Sequence, residues 1–138
     1  MMMAPELQVL ALAGLLQAMQ YAWLSVRANR ELGFAKTLSA RDPQRLGGTL
    51  ESMASPRTGR LYRALNNHFE GLILFTLAVV VLILGDKTTG LSALLAWTYL
   101  AARILYVPAY YFGLRPWRSL IWLVGFLATI AMIGLALV

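Results

Sequence analysis

The sequence predicts an all-α integral membrane protein, a bundle of four membrane-spanning helices, and three observations predict it. Hydrophobic residues make up 59% of the chain and charged residues only 13%, about half the ~25% charged share of soluble domains. Four apolar stretches each approach the ~20 residues that a helix rising 1.5 Å per residue needs to cross hydrocarbon. The net charge of +6 is concentrated in one connecting segment rather than spread over an amphipathic surface with interleaved aromatics, which reads as a topology signal and not as a nucleic-acid interface. The 138 residues have room for four spans with short connections, hence for a single domain over 1–138.

The first and fourth spans are the simplest. Leu7 to Val26 and Ser119 to Val138 each run twenty residues without a charge. The leader before the first, Met1 to Glu6, has no Lys or Arg, and the apolar run exceeds that of a signal peptide, so the helix is expected to be retained. Between them lie Leu61 to Leu84 and Leu91 to Tyr111, joined by the polar, glycine-bounded turn Gly85-Asp86-Lys87-Thr88-Thr89-Gly90; this reads as a tight helical hairpin. The first connection contains Asp42-Pro43, Gly47-Gly48 and Ser55-Pro56 and is expected to be irregular for much of its length. No internal repeat is present.

Charge asymmetry orients the bundle. Arg27, Arg30, Lys36, Arg41, Arg45, Arg57, Arg60 and Arg63 stand against Glu31, Asp42 and Glu51 in and around the first connection, which places that connection in the cytoplasm. Arg115 and Arg118 put the third connection on the same side, with Asp86, Lys87 and both termini opposite. The absence of cysteine rules out disulfides, thiolate metal sites and a protein thiol nucleophile; with a single histidine, no metal cluster can be built. Any thiol chemistry must use the sulfur of a substrate.

The two middle spans carry charge inside the membrane, where exposure to lipid costs several kcal/mol, so these groups must face protein or water. Arg60, Arg63, Asn67 and Glu70, spaced three, four and three, fall within roughly 80° of arc on the second helix. Tyr99, Arg103, Tyr106 and Tyr110, spaced four, three and four, make a facing stripe on the third. Glu70 and Arg103 lie at similar depths, ~12 to 15 Å from the basic end, and a buried ion pair between them is expected. Pro108 removes a donor to the carbonyl of Ile104. A kink there would open a pocket beside Tyr106 and Tyr110; alternatively these tyrosines, with Tyr111, form an aromatic belt at the headgroup level. His68, the only histidine, lies off the stripe and reads as a packing or interfacial residue. Pro116 suits the first turn of the fourth helix, which would put Arg118 at the positive end of the helix dipole. Guanidinium and dipole together favour the thiolate of a bound thiol; the alternative for Arg115 and Arg118 is contact with lipid phosphate.

The segments Arg60-Leu-Tyr-Arg63-Ala-Leu-Asn-Asn67-His-Phe-Glu70, Arg103-Ile-Leu-Tyr106-Val-Pro-Ala-Tyr110 and Arg115-Pro-Trp-Arg118-Ser119 resemble the MAPEG superfamily, membrane-associated proteins in eicosanoid and glutathione metabolism. The resemblance covers the second to fourth helices in order and spacing, and the first through its apolar character and the Arg27, Arg30 pair. It implies a homotrimer of four-helix subunits that binds glutathione between neighbouring subunits near the cytoplasmic face. By position, Arg63, Asn67 and Glu70 would hold the polar and charged groups of glutathione, and Tyr106 and Tyr110 would line the site. Arg118 would stabilise the thiolate, with Arg115 as its alternative because the preceding connection varies in length, and Arg27 would match a binding arginine of the first helix.

The function so implied is a glutathione-dependent membrane enzyme: a transferase joining glutathione to a lipophilic electrophile from the bilayer, with reduction of lipid hydroperoxides as a related activity. A site at the interface serves a polar thiol from one side and an apolar acceptor from the other. The competing reading is a noncatalytic binding, transport or scaffold protein of the same fold. An exporter of lipophilic cations needs an uncompensated acid, however, and Arg60, Arg63 and Arg103 surround the lone intramembrane Glu70, which favours anions.

Overall fold

The long first helix, α1 (Pro5–Leu32), begins with Pro5 in its first turn and Glu6 beside the positive dipole end, and stops at Gly33, whose φ of 83° permits the chain reversal. It runs past Val26, where the uncharged stretch ends, because Arg27, Arg30 and Glu31 cost nothing once the helix has left hydrocarbon. The computed structural model describes residues 2–138. Its buried stripe, Glu6, Val9, Ala13, Gln20, Leu24 and Ala28, follows the helical period.

The first connection is more ordered than its composition suggests. It holds three single turns, α2 (Phe34–Thr37), α3 (Pro43–Leu46) and α4 (Leu50–Met53). Pro43 starts α3 and Gly47, at φ 86°, ends it; the Thr49 hydroxyl accepts the Ser52 N–H at the head of α4. These devices turn a segment expected to be irregular into a chain of capped turns. The second long helix, α5 (Pro56–Leu84), starts five residues before Leu61, with Pro56 in the first turn and the Ser55 hydroxyl accepting the Thr58 N–H. Glu31 locks α1 to this start: its carboxylate accepts from Thr58 Oγ1 at 2.7 Å and from the Ser55 N–H at 2.9 Å, and pairs with Arg27 at 2.8 Å.

The hairpin is as expected. α5 ends at Leu84, and α6 (Gly90–Tyr111) opens with a capping box in which Thr89 and Ser92 exchange side-chain and backbone hydrogen bonds. Ser92 Oγ also donates to the carboxylate of Glu6. Glu6 is 1% exposed, so this acid belongs to the buried contact between α1 and α6 rather than to a solvated leader. α6 continues through Pro108 to Tyr111, and α7 (Trp117–Leu137) follows with Pro116 as its cap residue. Arg118 therefore sits in the first turn of α7.

All four long helices, each long and apolar enough to cross a membrane, contribute to one core: Val9 and Ala13, Phe75, Ala78, Val79 and Leu82, Ala96, Tyr99 and Leu100, and Ala128 and Met132. Phe75 stacks on Tyr99 with ring centroids 3.9 Å apart. Lipid tails are as apolar as these side chains, so close van der Waals fit, not escape from water, holds the helices together. Small residues allow it: a Cβ on Gly125 would stand 3.4 Å from that of Ala102, which measures how closely α7 lies on α6. A second cluster, Leu24, Leu61, Leu65, Val107 and Tyr111, closes the arginine-rich end. Tyr111 is buried there against Trp23, centroids 5.0 Å apart, and so is a packing residue within the chain rather than a member of a lipid-facing belt.

Candidate functional site

The polar stripes of α5 and α6 and the first turns of α7 border three adjoining clefts that form one trough. The outermost, about 340 Å³, is lined by Arg60, Arg63, Tyr110, Arg115 and Arg118 with the Gly113–Leu114 backbone. The middle one, about 180 Å³, takes over Arg118 and adds Asn67, Tyr106, Ser119 and Trp122. The deepest, about 190 Å³, shares Asn67 and Trp122 and adds Glu70, Leu74, Tyr99, Arg103 and Phe126 among others. Along α7 the trough follows Arg118, Trp122, Gly125 and Thr129, a single face at spacings of four, three and four.

Geometry at the mouth is set by cations on phenols. The Arg118 guanidinium lies 4.8 Å from the Tyr110 ring centre and that of Arg63 5.9 Å from it, while Arg63 Nε donates to the Tyr110 hydroxyl at 3.2 Å. Cation–π contact of this kind fixes a guanidinium without neutralising it. Arg63 also pairs with Glu51 of α4 at 2.7 Å; both side chains are well exposed, so the pair is worth about 0.2–1 kcal/mol and an anionic ligand can displace it. Arg60 donates to the Tyr111 carbonyl at 3.2 Å and packs against Gly113, where a Cβ would meet its guanidinium at 2.9 Å. With φ at 70° as well, Gly113 is the residue the turn demands.

Deeper, Tyr106 is edge-on to Tyr110, centroids 5.5 Å apart, and its face receives Arg103 at 4.8 Å. Arg103, Tyr106, Tyr110 and Arg118 thus form a ladder in which rings separate two guanidinium groups. Arg103 is 3% exposed, and its counter-groups differ from the expected one. Nη1 donates to Asn67 Oδ1 at 3.0 Å and Nε to His68 Nδ1 at 3.3 Å; Glu70 forms no ion pair with it, and among the described residues the ion pairs are those of Arg27, Arg45 and Arg63. The reason is angular. Ala64, Gly71 and Phe75 mark the middle of the face that α5 turns to its neighbours, and Glu70 lies about 120° round from it, so equal depth did not bring the two charges together. Glu70 instead is exposed on the rim of the deep cleft. Arg103 Nη2 and Tyr99 Oη, both buried, have no hydrogen-bond partner.

Of the residues singled out from sequence, Arg63, Asn67, Glu70, Tyr106, Tyr110, Arg115 and Arg118 therefore border one trough. The pocket reading of Tyr106 and Tyr110 accounts for their positions better than an aromatic belt. Arg27 stands apart, held by Glu31 and by Thr58 Oγ1 at 3.2 Å. Sequence reasoning passed over Trp122 and Gly125, which the four-three spacing from Arg118 could have placed on its face. Glu51 had no such signal, since an irregular connection gives no face to assign. Among the described residues, no three His, Asp or Glu side chains gather as metal ligands would.

A four-helix membrane protein with an anion-attracting trough at one end of the bundle is the class that fold and geometry define. The family model described as the MAPEG family matches residues 7–138, and the chain belongs to that family. Members use glutathione and have roles in glutathione or eicosanoid metabolism; they include glutathione transferases and related enzymes, alongside noncatalytic proteins. Comparison with curated proteins gives no match.

Proposed function

We propose that this protein is a glutathione transferase of the membrane, joining the glutathione sulfur to a lipophilic electrophile that arrives through the bilayer, with reduction of lipid hydroperoxides as a related activity. The observation that carries the reading is the trough itself, four arginines at its mouth and an apolar, outward-facing wall of Leu74, Trp122 and Phe126 further in. A ligand with two carboxylates and an ionisable thiol suits the first part, and an acceptor dissolved in lipid suits the second.

In this reading Arg63 and Arg115 receive carboxylates, Asn67 and Glu70 take the remaining polar groups, and Tyr106 and Tyr110 form the wall. Arg118 is the catalytic group: its guanidinium and the first-turn amides of α7 favour the thiolate over the thiol. The sulfur lone pair then attacks the electrophilic carbon, the displaced electron pair leaves with the leaving group or is taken up by the acceptor, and the thiol proton goes to solvent. Arginine-rich connections face the cytoplasm, where a polar thiol enters. An apolar stripe on α5, Phe69, Ile73, Leu77, Val80 and Leu84, is 41–81% exposed and would be covered in a homotrimer; Arg27 would then act on a neighbouring subunit's trough.

The test is an ultraviolet difference titration of the detergent-purified protein with glutathione near neutral pH, with Arg118→Ala alongside. A thiolate band that the variant lacks supports the reading. No binding by the folded, assembled parent protein would sink it and move the function to transport, binding or scaffolding.

A further inference from the structure

His68 is the only histidine and is fully buried, yet it is more than filler. Its ring spans two helices: Nε2 lies 3.0 Å from the Ala13 carbonyl of α1, and Nδ1 lies 3.3 Å from Arg103 Nε of α6. A carbonyl only accepts and a guanidinium only donates, so both contacts are satisfied together by one species alone, the neutral imidazole with its proton on Nε2. The imidazolium would set an N–H against the N–H of Arg103, and the other tautomer would do so while leaving the Ala13 carbonyl without its bond.

The consequence lies at Arg103. Its Nε is held by His68, its Nη1 by Asn67 and its face by Tyr106, which leaves Nη2 alone without a partner, in a residue that lines the deep cleft. Glu70 borders the same cleft, kept from pairing with Arg103 by the rotation of α5. We infer that His68 is a positioning residue: as the Nε2–H tautomer it fixes the Arg103 guanidinium in the one setting that leaves Nη2 over, so that Arg103 stays a cation available to a ligand in the cleft whose rim carries Glu70. This rests on the proposed reading of the trough as the glutathione site.

Two amide substitutions separate this role from packing. His68→Asn puts an acceptor where Nδ1 stands and cannot reach Ala13; His68→Gln reaches toward Ala13 and gives up the acceptor for Arg103. Glutathione titration should give a Kd near the parent value for His68→Asn and about tenfold weaker binding for His68→Gln, with the Arg118-dependent thiolate band surviving in both. The reverse order, or equal effects, overturns the inference. Because there is one histidine, ¹⁵N-histidine labelling of the unsubstituted protein gives an independent reading: a single neutral Nε2–H signature is expected at neutral pH, and an Nδ1–H or imidazolium signature overturns the inference even if neither variant folds. If the parent binds no glutathione but shows the Nε2–H signature, the functional reading fails and the tautomer assignment stands.

Discussion

The two ends of the bundle treat polar groups in opposite ways. At the hairpin end, one oxygen of the buried Glu6 carboxylate takes the Ser92 hydroxyl, and Ser92 closes the capping box with Thr89; short polar side chains there join α1 to α6, with the second Glu6 oxygen buried and unbonded. At the other end, long side chains with more donors than nearby acceptors, Arg60, Arg63, Arg115 and Arg118, surround open space; the Tyr110 ring holds Arg118 and Arg63, and the one carboxylate among them, Glu51 on Arg63, is an exposed partner. Buried polar groups bonded to one another specify packing, while oriented but unneutralised groups beside a cleft specify a ligand.

The contrast predicts separable failures. The largest effect is expected from Arg118→Ala, a fall of roughly 10²-fold in the rate of conjugation, in line with loss of a group that stabilises reacting charge, with thermal stability unchanged; an equal drop in melting temperature and rate would erase the distinction between the ends. Next, Ser92→Ala should leave the Glu6 carboxylate without its donor and cost about 1–3 kcal/mol, seen as a lower melting temperature in detergent, while glutathione affinity stays at the parent value. Gly113→Ala should combine both, because the added Cβ strains a left-handed residue and displaces Arg60: about 1–2 kcal/mol of stability together with weaker anion binding in the same titration. Smallest is Glu51→Ala, which releases Arg63 from an exposed pair and should tighten glutathione binding by no more than about threefold, an effect that moderate salt abolishes.

Much of this was legible in the sequence because helical period and hydrocarbon thickness are strict rulers. Spans, the hairpin, the α7 start beside Pro116 and the stripe from Arg63 through Glu70 all follow from them. What escaped was whatever depends on rotation of one helix against another. Asn67 and Glu70 share a stripe, but only the packing of α5 decides that Asn67 meets Arg103 while Glu70 turns to the rim. His68, read as a packing or interfacial residue from its place off the stripe, is buried, and its bond to Arg103 could not be seen until α1 supplied the Ala13 carbonyl. The helical ends of α1 and α5 beyond the membrane were hidden because charge was read as the end of a span rather than the end of hydrocarbon.

The guanidinium of Arg103, buried with one nitrogen unbonded, also makes ligand binding and folding stability two readings of one equilibrium. A compound whose oxygen satisfies that nitrogen binds only the folded chain, and at a concentration a hundred times its dissociation constant it raises stability by about 2.7 kcal/mol. Heat resistance can therefore report which compounds occupy the trough before any reaction has been observed.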